Sequence, residues 1–344
     1  MMELKSREQR RANLVIAGLL LLLILVFCLS FFIGRYSMSF QEAWQGLTSN
    51  YEVGDAAYNS MIVMVKVRLP RILGALLVGG SLAMSGAAFQ GVFGNPLVSP
   101  DLLGTSSGAG LAASIAILSG LGSFAVLLSA LAGGLLATLL TALISHAVMR
   151  QRSGVVVYVL VGLVVSALLE AGISITKYIA DPYSDLGTIT YWLMGSLAQL
   201  TLKSLAIVLL PILLGALLLL WGSYKINLLS FSDEEATSMG INVKKFRLLI
   251  LFAATLLCAS SVAAVGVVSW VGLVVPHMTR ILIGPNNKKL IPASFLTGAI
   301  YLIMIDNLAR AALIFEIPIS ILTGAIGAPV FIFLLLKGGK TGWK

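Results

Sequence analysis

Ten stretches of this chain are apolar for long enough to call for a bilayer, and no other feature restricts its fold so tightly. They lie near 14–33, 61–90, 101–119, 123–148, 154–178, 202–221, 247–265, 267–284, 290–308 and 319–336. Crossing the hydrocarbon core as a helix takes roughly 20 apolar residues. In lipid each backbone polar group must be satisfied internally, which a continuous apolar run achieves as a helix. The chain is 344 residues long, 58% hydrophobic and only 11% charged, with a mean hydropathy of +1.00. A soluble domain has no interior large enough to hide that much apolar surface. The expected fold class is therefore an all-α polytopic membrane protein of about ten transmembrane helices, read as one domain over 1–344.

The basic residues set the orientation. KSREQRR precedes the first apolar run. That run is too long for a signal-peptide core and lacks a small-residue cleavage site, so it reads as a retained span. Arg150 and Arg152, then Lys225, Lys244, Lys245 and Arg247, then Lys288 and Lys289, then Lys337, Lys340 and Lys344 all fall on the side of the N-terminus. The positive-inside bias makes that side cytoplasmic. An even number of spans then puts both termini, including the 1–12 tail, in the cytoplasm. The net charge of +9 is accounted for by this bias and does not call for nucleic acid. Cys28 and Cys258 each lie within an apolar run. No Cys/His spacing suggests a metal site.

Three loops are expected on the outside, 35–60, about 178–200 and a short turn after Asn307. The first contains SFQEAWQGLTSN, a candidate surface helix. The second carries Tyr191 and Trp192, aromatics suited to the headgroup level. Many of the 34 glycines fall inside spans, where small residues let helices approach closely. At an offset of about 180 residues, Gly86, Pro96 and Gly104 match Gly266, Pro276 and Gly284. The two copies begin on opposite sides, as in an inverted repeat. Gly339-Lys340-Thr341 resembles the tail of a P-loop, but the earlier glycine of that motif is replaced by Leu334. The chain thus has no nucleotide site of its own. His146 and His277 are isolated, and no set of residues reads as catalytic.

Some charges demand an explanation. Arg68 and Arg71 bracket Pro70 at the outer end of the second span, and Arg310 lies at the outer end of the ninth. Such residues can snorkel to headgroups. Three on one face favour a partner presenting carboxylates, since arginine pairs with them bidentately. Glu170 and Lys177 share a face of the fifth span. An acid within a span is a functional candidate by default. Asp306 lies beside Arg310. The polar island LLSFSDEEATSMGINVKKFR (228–247) groups Asp233, Glu234 and Glu235 ahead of Lys244, Lys245 and Arg247. It is too short for a domain and reads as a handle gripped from outside the membrane.

RLPRILGALLVGGSLAMSGAAFQGVFGNPLVSPDLLGTSSGAG (68–110) resembles the signature of the FecCD-type permeases. These are membrane subunits of ATP-binding-cassette importers for iron-siderophores, haem and cobalamin. YWLMGSL (191–197), LSFSDEEATSMGI (229–241), VGLVVPHMTR (271–280) and EIPISILTGAIGAPVFIFLLLKGG (316–339) follow in the family's order. The resemblance implies a type II ABC importer permease fold, a second permease copy (a homodimer), two ATPase subunits and a substrate-binding protein. ATP and magnesium belong to the ATPase, no cofactor to this chain. It implies that Arg68, Arg71 and Arg310 receive glutamates of the binding protein, and that Asn95, Pro96 and Leu97 form a cytoplasmic gate. It also implies that 228–241 forms cytoplasmic coupling helices. There Ser232, Asp233, Glu234, Glu235, Ala236, Met239 and Gly240 meet the ATPase. Glu170 and Lys177 are pathway candidates. The island departs from the family's LGEE-like pattern, reading FSDEEATSMG. A proton- or sodium-coupled secondary transporter using Glu170 is the alternative. The cargo, a metal chelate in the family reading, is not named by the residues.

Overall fold

The computed structural model describes residues 2–36, 39, 41–42, 56–149 and 156–338. Most of the first outside loop, with its candidate surface helix, lies outside these residues. So do Arg150, Arg152, Lys340 and Lys344.

Each expected span falls on a helix. The order is α1 (Met2–Ser30), α2 (Ala56–Ile62), α3 (Leu69–Phe93), α4 (Thr105–Leu118), α5 (Ser123–Met149), α6 (Val156–Ile179) and α7 (Asp185–Met194). Then come α8 (Leu202–Ile226), α9 (Asp233–Ser238), α10 (Val243–Val265), α11 (Val271–Ile283), α12 (Asn287–Ala311) and α13 (Ile319–Gly338). A π-helical turn, Val63–Arg68, joins α2 to α3 without a break. It ends two residues before Pro70, which sits in the first turn of α3, where its missing N–H costs little. Part of the second outside loop is not loop at all, since α7 forms there with Ile189 fully buried.

Seven segments are long and apolar enough to cross a membrane, with Tyr58–Phe93 taken as one. Three expected spans fall on shorter apolar helices, the third being Ile319–Leu334 of α13. α4 has 14 residues and α11 has 13, or about 20 Å each at 1.5 Å per residue. Irregular backbone supplies the remaining depth. Such backbone survives there only when protein satisfies it. Val265 O accepts from Ser196 N, Gly195 O accepts from Ile319 N, and Val267 O accepts from Ser320 Oγ.

α3 is the centre of the fold and is buried almost all round. Glycines let its neighbours approach. A Cβ on Gly86 would lie 1.8 Å from Gly272 O of α11, and one on Gly79 would lie 2.3 Å from Gly298 O of α12. At one end, Gly74 of α3 packs on Leu200, just before α8. At the other, Gly91 packs on Ile226, the last residue of α8. The two helices therefore run parallel. Gly215 and Gly222 of α8 meet Ala253 and Ile250 of α10 in reversed order, so α3 and α10 are antiparallel.

That reversal is the inverted repeat. Helices α3 to α6 have 25, 14, 27 and 24 residues, and α10 to α13 have 23, 13, 25 and 20. The long–short–long–long order recurs with opposite direction. The identities at an offset of about 180 do not carry it, however. Gly104 precedes the first short helix, whereas Gly284 follows the second.

Candidate functional site

The polar island folds into a rigid knob at one end of the bundle. A 3-10 turn, Asn227–Ser230, leads to α9. Ser232 is its N-cap, and Glu235 closes a capping box. Ser232 Oγ accepts from Glu235 N at 3.2 Å, while Glu235 Oε2 accepts from Ser232 N at 3.0 Å. Two orphan N–H groups are thereby satisfied, and the acids sit at the positive end of the helix. These hydrogen bonds, from the Ser232 backbone first and its hydroxyl second, hold the Glu235 carboxyl below its ordinary value. Asp233 pairs with Arg247 of α10 at 3.1 Å. Asn227 Oδ1 accepts from Asn287 N at 2.8 Å, fastening the turn to the start of α12.

Of the residues expected to meet an ATPase, Ser232, Asp233, Glu234, Glu235, Met239 and Gly240 are exposed. Ala236 is not. It is fully buried beneath α9, because a helix lying on a surface must turn one face inward, and Ala236 is the anchor of that face. Phe231, like Met239, is exposed. It lies inside the quoted motif, yet nothing in the sequence marks it as outward. Asn95, Pro96 and Leu97 lie just beyond the C-terminus of α3, at the same end of the bundle. Gly94 (φ +59) ends the helix, and Asn95 Oδ1 accepts from Leu97 N at 2.9 Å. Asn95 and Leu97 are exposed and Pro96 is half-buried.

Arg68, Arg71 and Arg310 gather at the opposite end. They are 3%, 6% and 7% exposed, which corrects the expectation of arginines held out to a partner. Arg71 Nε donates to Asp306 Oδ1 at 2.6 Å. Its Nη2 and Nη1 donate to Glu316 Oε1 and Oε2 at 2.7 and 3.0 Å. Arg310 Nη2 donates to Ser30 O at 2.7 Å, and its Nε lies 3.5 Å from Asp306 Oδ2. Arg68 donates to the carbonyls of Phe31 and Tyr36. A guanidinium has five donors, and here each guanidinium bonds to carbonyls or carboxylates from within the chain, with Arg310 Nε left only the longer approach to Asp306. A buried charge persists only when so paired. Glu316 and Ser196, whose Oγ donates to Glu316 Oε1 at 3.2 Å, were not singled out from the sequence. Glu316 sits 245 residues from Arg71, and no local pattern announces the pair.

Glu170 lies midway along α6 on an exposed face and accepts from Ser107 Oγ of α4 at 3.2 Å. Lys177 is half-buried two turns on. Among the described residues no group of three or more His, Cys, Asp or Glu is placed to hold a metal ion.

The chain is similar to known permeases over nearly its full length. It is 39% identical over 328 residues to the molybdate import system permease protein MolB of Haemophilus influenzae, covering 94% of this chain and 97% of that protein. It is 35% identical over 338 residues to the hemin transport system permease protein HmuU of Yersinia pestis, covering 97% and 98%. An inward-facing structure of a metal-chelate-type ABC transporter matches with a TM-score of 0.85 and 37% identity, covering 94% of this chain and 99% of that one. The family model of the FecCD transport family matches residues 22–337. Spans, short helices and motif order agree with that match, and the chain belongs to the FecCD transport family, a permease subunit of an ABC importer and not an enzyme.

Proposed function

We propose that the subunit carries a metal chelate of the iron-siderophore, haem or cobalamin type into the cytoplasm, by alternating access driven by a partner ATPase. The observation that carries this reading is α9: a capped, acid-rich knob, fastened at both sides, at the basic end of the bundle. Arg10, Arg11, Lys225, Lys244, Lys245 and Lys288 share that end, which the positive-inside bias assigns to the cytoplasm. The start of α1 and the end of α13 are read at that end too. Glu234, Phe231 and Met239 then offer one charge and two apolar groups to a groove in the ATPase. A rigid knob transmits a push, which a solvated loop does not.

The transporter is read as two permease copies, two ATPase subunits and one binding protein docked at the opposite end. Arg68, Arg71 and Arg310 shape that rim from within. The exposed cations Arg35, Lys66 and Lys203 at the same end are better placed to meet a partner's carboxylates. Asn95, Pro96 and Leu97 are read as a gate at the cytoplasmic end. Glu170, with Lys177 beyond it, is read as a polar element of the pathway.

A second cargo reading is molybdate, favoured by the 39% identity to MolB. Uptake of ferric enterobactin, haemin, cyanocobalamin and molybdate by the reconstituted complex separates the two. The coupling role is tested by Glu234→Arg, because Glu234 is exposed and outside the capping box. ATP hydrolysis stimulated by the binding protein should fall at least tenfold with the fold intact. Unchanged stimulation sinks the coupling assignment.

A further inference from the structure

Trp270 has a backbone conformation that its side chain opposes. Its φ is +71° and its ψ is −26°, and among the described residues no other non-glycine has a positive φ of this kind. A Cβ in the left-handed region crowds the following carbonyl. Such residues persist where the surroundings over-determine them, and they cluster at switch regions.

The inverted repeat supplies a control within the same chain. Trp270 is the N-cap of the short helix α11. The N-cap of its counterpart α4 is Gly104, with φ +81° and ψ +9°. The fold therefore needs a left-handed residue at the entrance to each short helix. In one half it is glycine, which adopts that conformation freely. In the other it is the bulkiest side chain available, so the indole itself has a use.

That use is visible on α13. Among the described residues of this helix the buried positions are Ile319, Thr323 and Gly327, a single stripe at intervals of four. Trp270 fills the end of the stripe. A Cβ on Gly327 would lie 2.9 Å from Trp270 Cβ and 3.3 Å from its Cγ, and one on Gly324 would lie 3.7 Å from Nε1. The indole also meets the ring of Phe331 edge-on, at 6.4 Å between centroids. Two residues beyond Gly327, Pro329 lies inside α13, removing one hydrogen bond and weakening the helix there. The first turn of α13 is fixed by the Glu316 clamp, by Gly195 O and by Val267 O. Beyond Pro329, Ile332, Phe333 and Leu336 are exposed.

The geometry points to Trp270 as a fulcrum: a positioning residue on which α13 tilts during transport, carrying the short helix α11 with it. The anchored start, the ring beneath Gly327 and the weakened turn at Pro329 lie in order along α13. Its transport role rests on the permease reading. The seat itself does not.

The test is a set of four variants read two ways. Trp270→Gly, Trp270→Phe, Gly327→Ala and the Trp270→Gly/Gly327→Ala double variant are compared with the parent. Each is assembled with the ATPase and binding protein. Stimulation of ATP hydrolysis by the binding protein should fall at least fivefold in Trp270→Gly and in Gly327→Ala. Trp270→Phe should stay within twofold of the parent. In the Trp270→Gly background Gly327→Ala should cost nothing further, because every neighbour that its methyl group would strike belongs to the missing side chain. Thermal unfolding of the detergent-purified permease should show the same dependence and needs no transport. Equal cost of Gly327→Ala in both backgrounds overturns the seat. Parent-like stimulation in Trp270→Gly overturns the fulcrum. Absence of stimulation in the parent counts against the permease reading, while the unfolding data still decide the seat.

Discussion

Replacing Arg71 by Met would remove the guanidinium while keeping much of its apolar stem. The structure sets the cost. Asp306 and Glu316 are 1% and 19% exposed in their side chains. Asp306 would retain only Arg310, at 3.5 Å. Taking one partner from a buried ion pair costs about 3–5 kcal/mol, because the other charge is left uncompensated. Arg310 offsets part of that for Asp306, and water reaches Glu316, so the low end applies, about 3 kcal/mol in all. At about 2 °C per kcal/mol for a large chain, the unfolding midpoint should fall by roughly 6 °C. The assay is thermal unfolding in detergent at one scan rate, followed by far-UV circular dichroism. Arg71→Met/Asp306→Asn should be less destabilised than Arg71→Met, because it leaves fewer unpaired charges, with a coupling of about 1–3 kcal/mol. A midpoint within 1 °C of the parent for Arg71→Met alone would refute the reasoning. Arg71 would then be a loosely held surface charge, available to an external partner after all.

Gly86→Ala forces α3 and α11 apart, since the added methyl would sit 1.8 Å from Gly272 O. A loss of about 3 kcal/mol is expected, read as poor recovery of monodisperse protein and a lowered midpoint. Parent-like behaviour would contradict the packing. Ser232→Ala removes the cap of α9 and should cost about 1 kcal/mol, speeding amide exchange at Glu235 by roughly fivefold. The Glu235 carboxyl titrates below its ordinary 4.5, so its share of the cap is complete above that pH. It is lost as pH falls through the depressed value. An acid dependence of exchange at α9 in the parent should therefore weaken in Ser232→Ala, which keeps the Ser232 N–H donor, and vanish in Glu235→Ala; its persistence in Glu235→Ala would argue against the capping box. Glu170→Gln keeps an acceptor for Ser107 Oγ. ATP-driven uptake should survive it within threefold, whereas abolition would revive a proton-relay role.

The spans were legible in the sequence because lipid leaves the backbone few choices, and apolar length reports directly on them. The two short helices were not recognised as short. Their apolar runs continue into irregular backbone, and a hydropathy pattern does not distinguish helix from a buried turn. The satisfaction of Val265 O and Val267 O by Ser196 and Ser320 is a tertiary fact. The same limit governed the arginines. Their positions near span ends showed that they share one end of the molecule. Whether they point out or in depends on Asp306 and Glu316, and only packing brings those within 3 Å of Arg71. The island forms its own short helix, α9, between α8 and α10. The sequence pattern Ser-x-x-Glu even encodes its capping box. The inward turn of Ala236 required knowing which face of α9 lies on α10. The repeat is suggested in the sequence by identities that the helices do not share; its long–short–long–long order is a property of the helix lengths, which the nearly equal apolar runs of the second half do not carry.

The central claim is that this subunit is the membrane part of an importer driven by a separate ATPase. Uptake into proteoliposomes containing the permease, the ATPase and its binding protein tests it most directly, with ferric enterobactin, haemin, cyanocobalamin and molybdate as probes. The account predicts accumulation of at least one probe that requires ATP and all three proteins and that survives collapse of the proton and sodium gradients. Uptake by the permease alone that disappears with those gradients would contradict it.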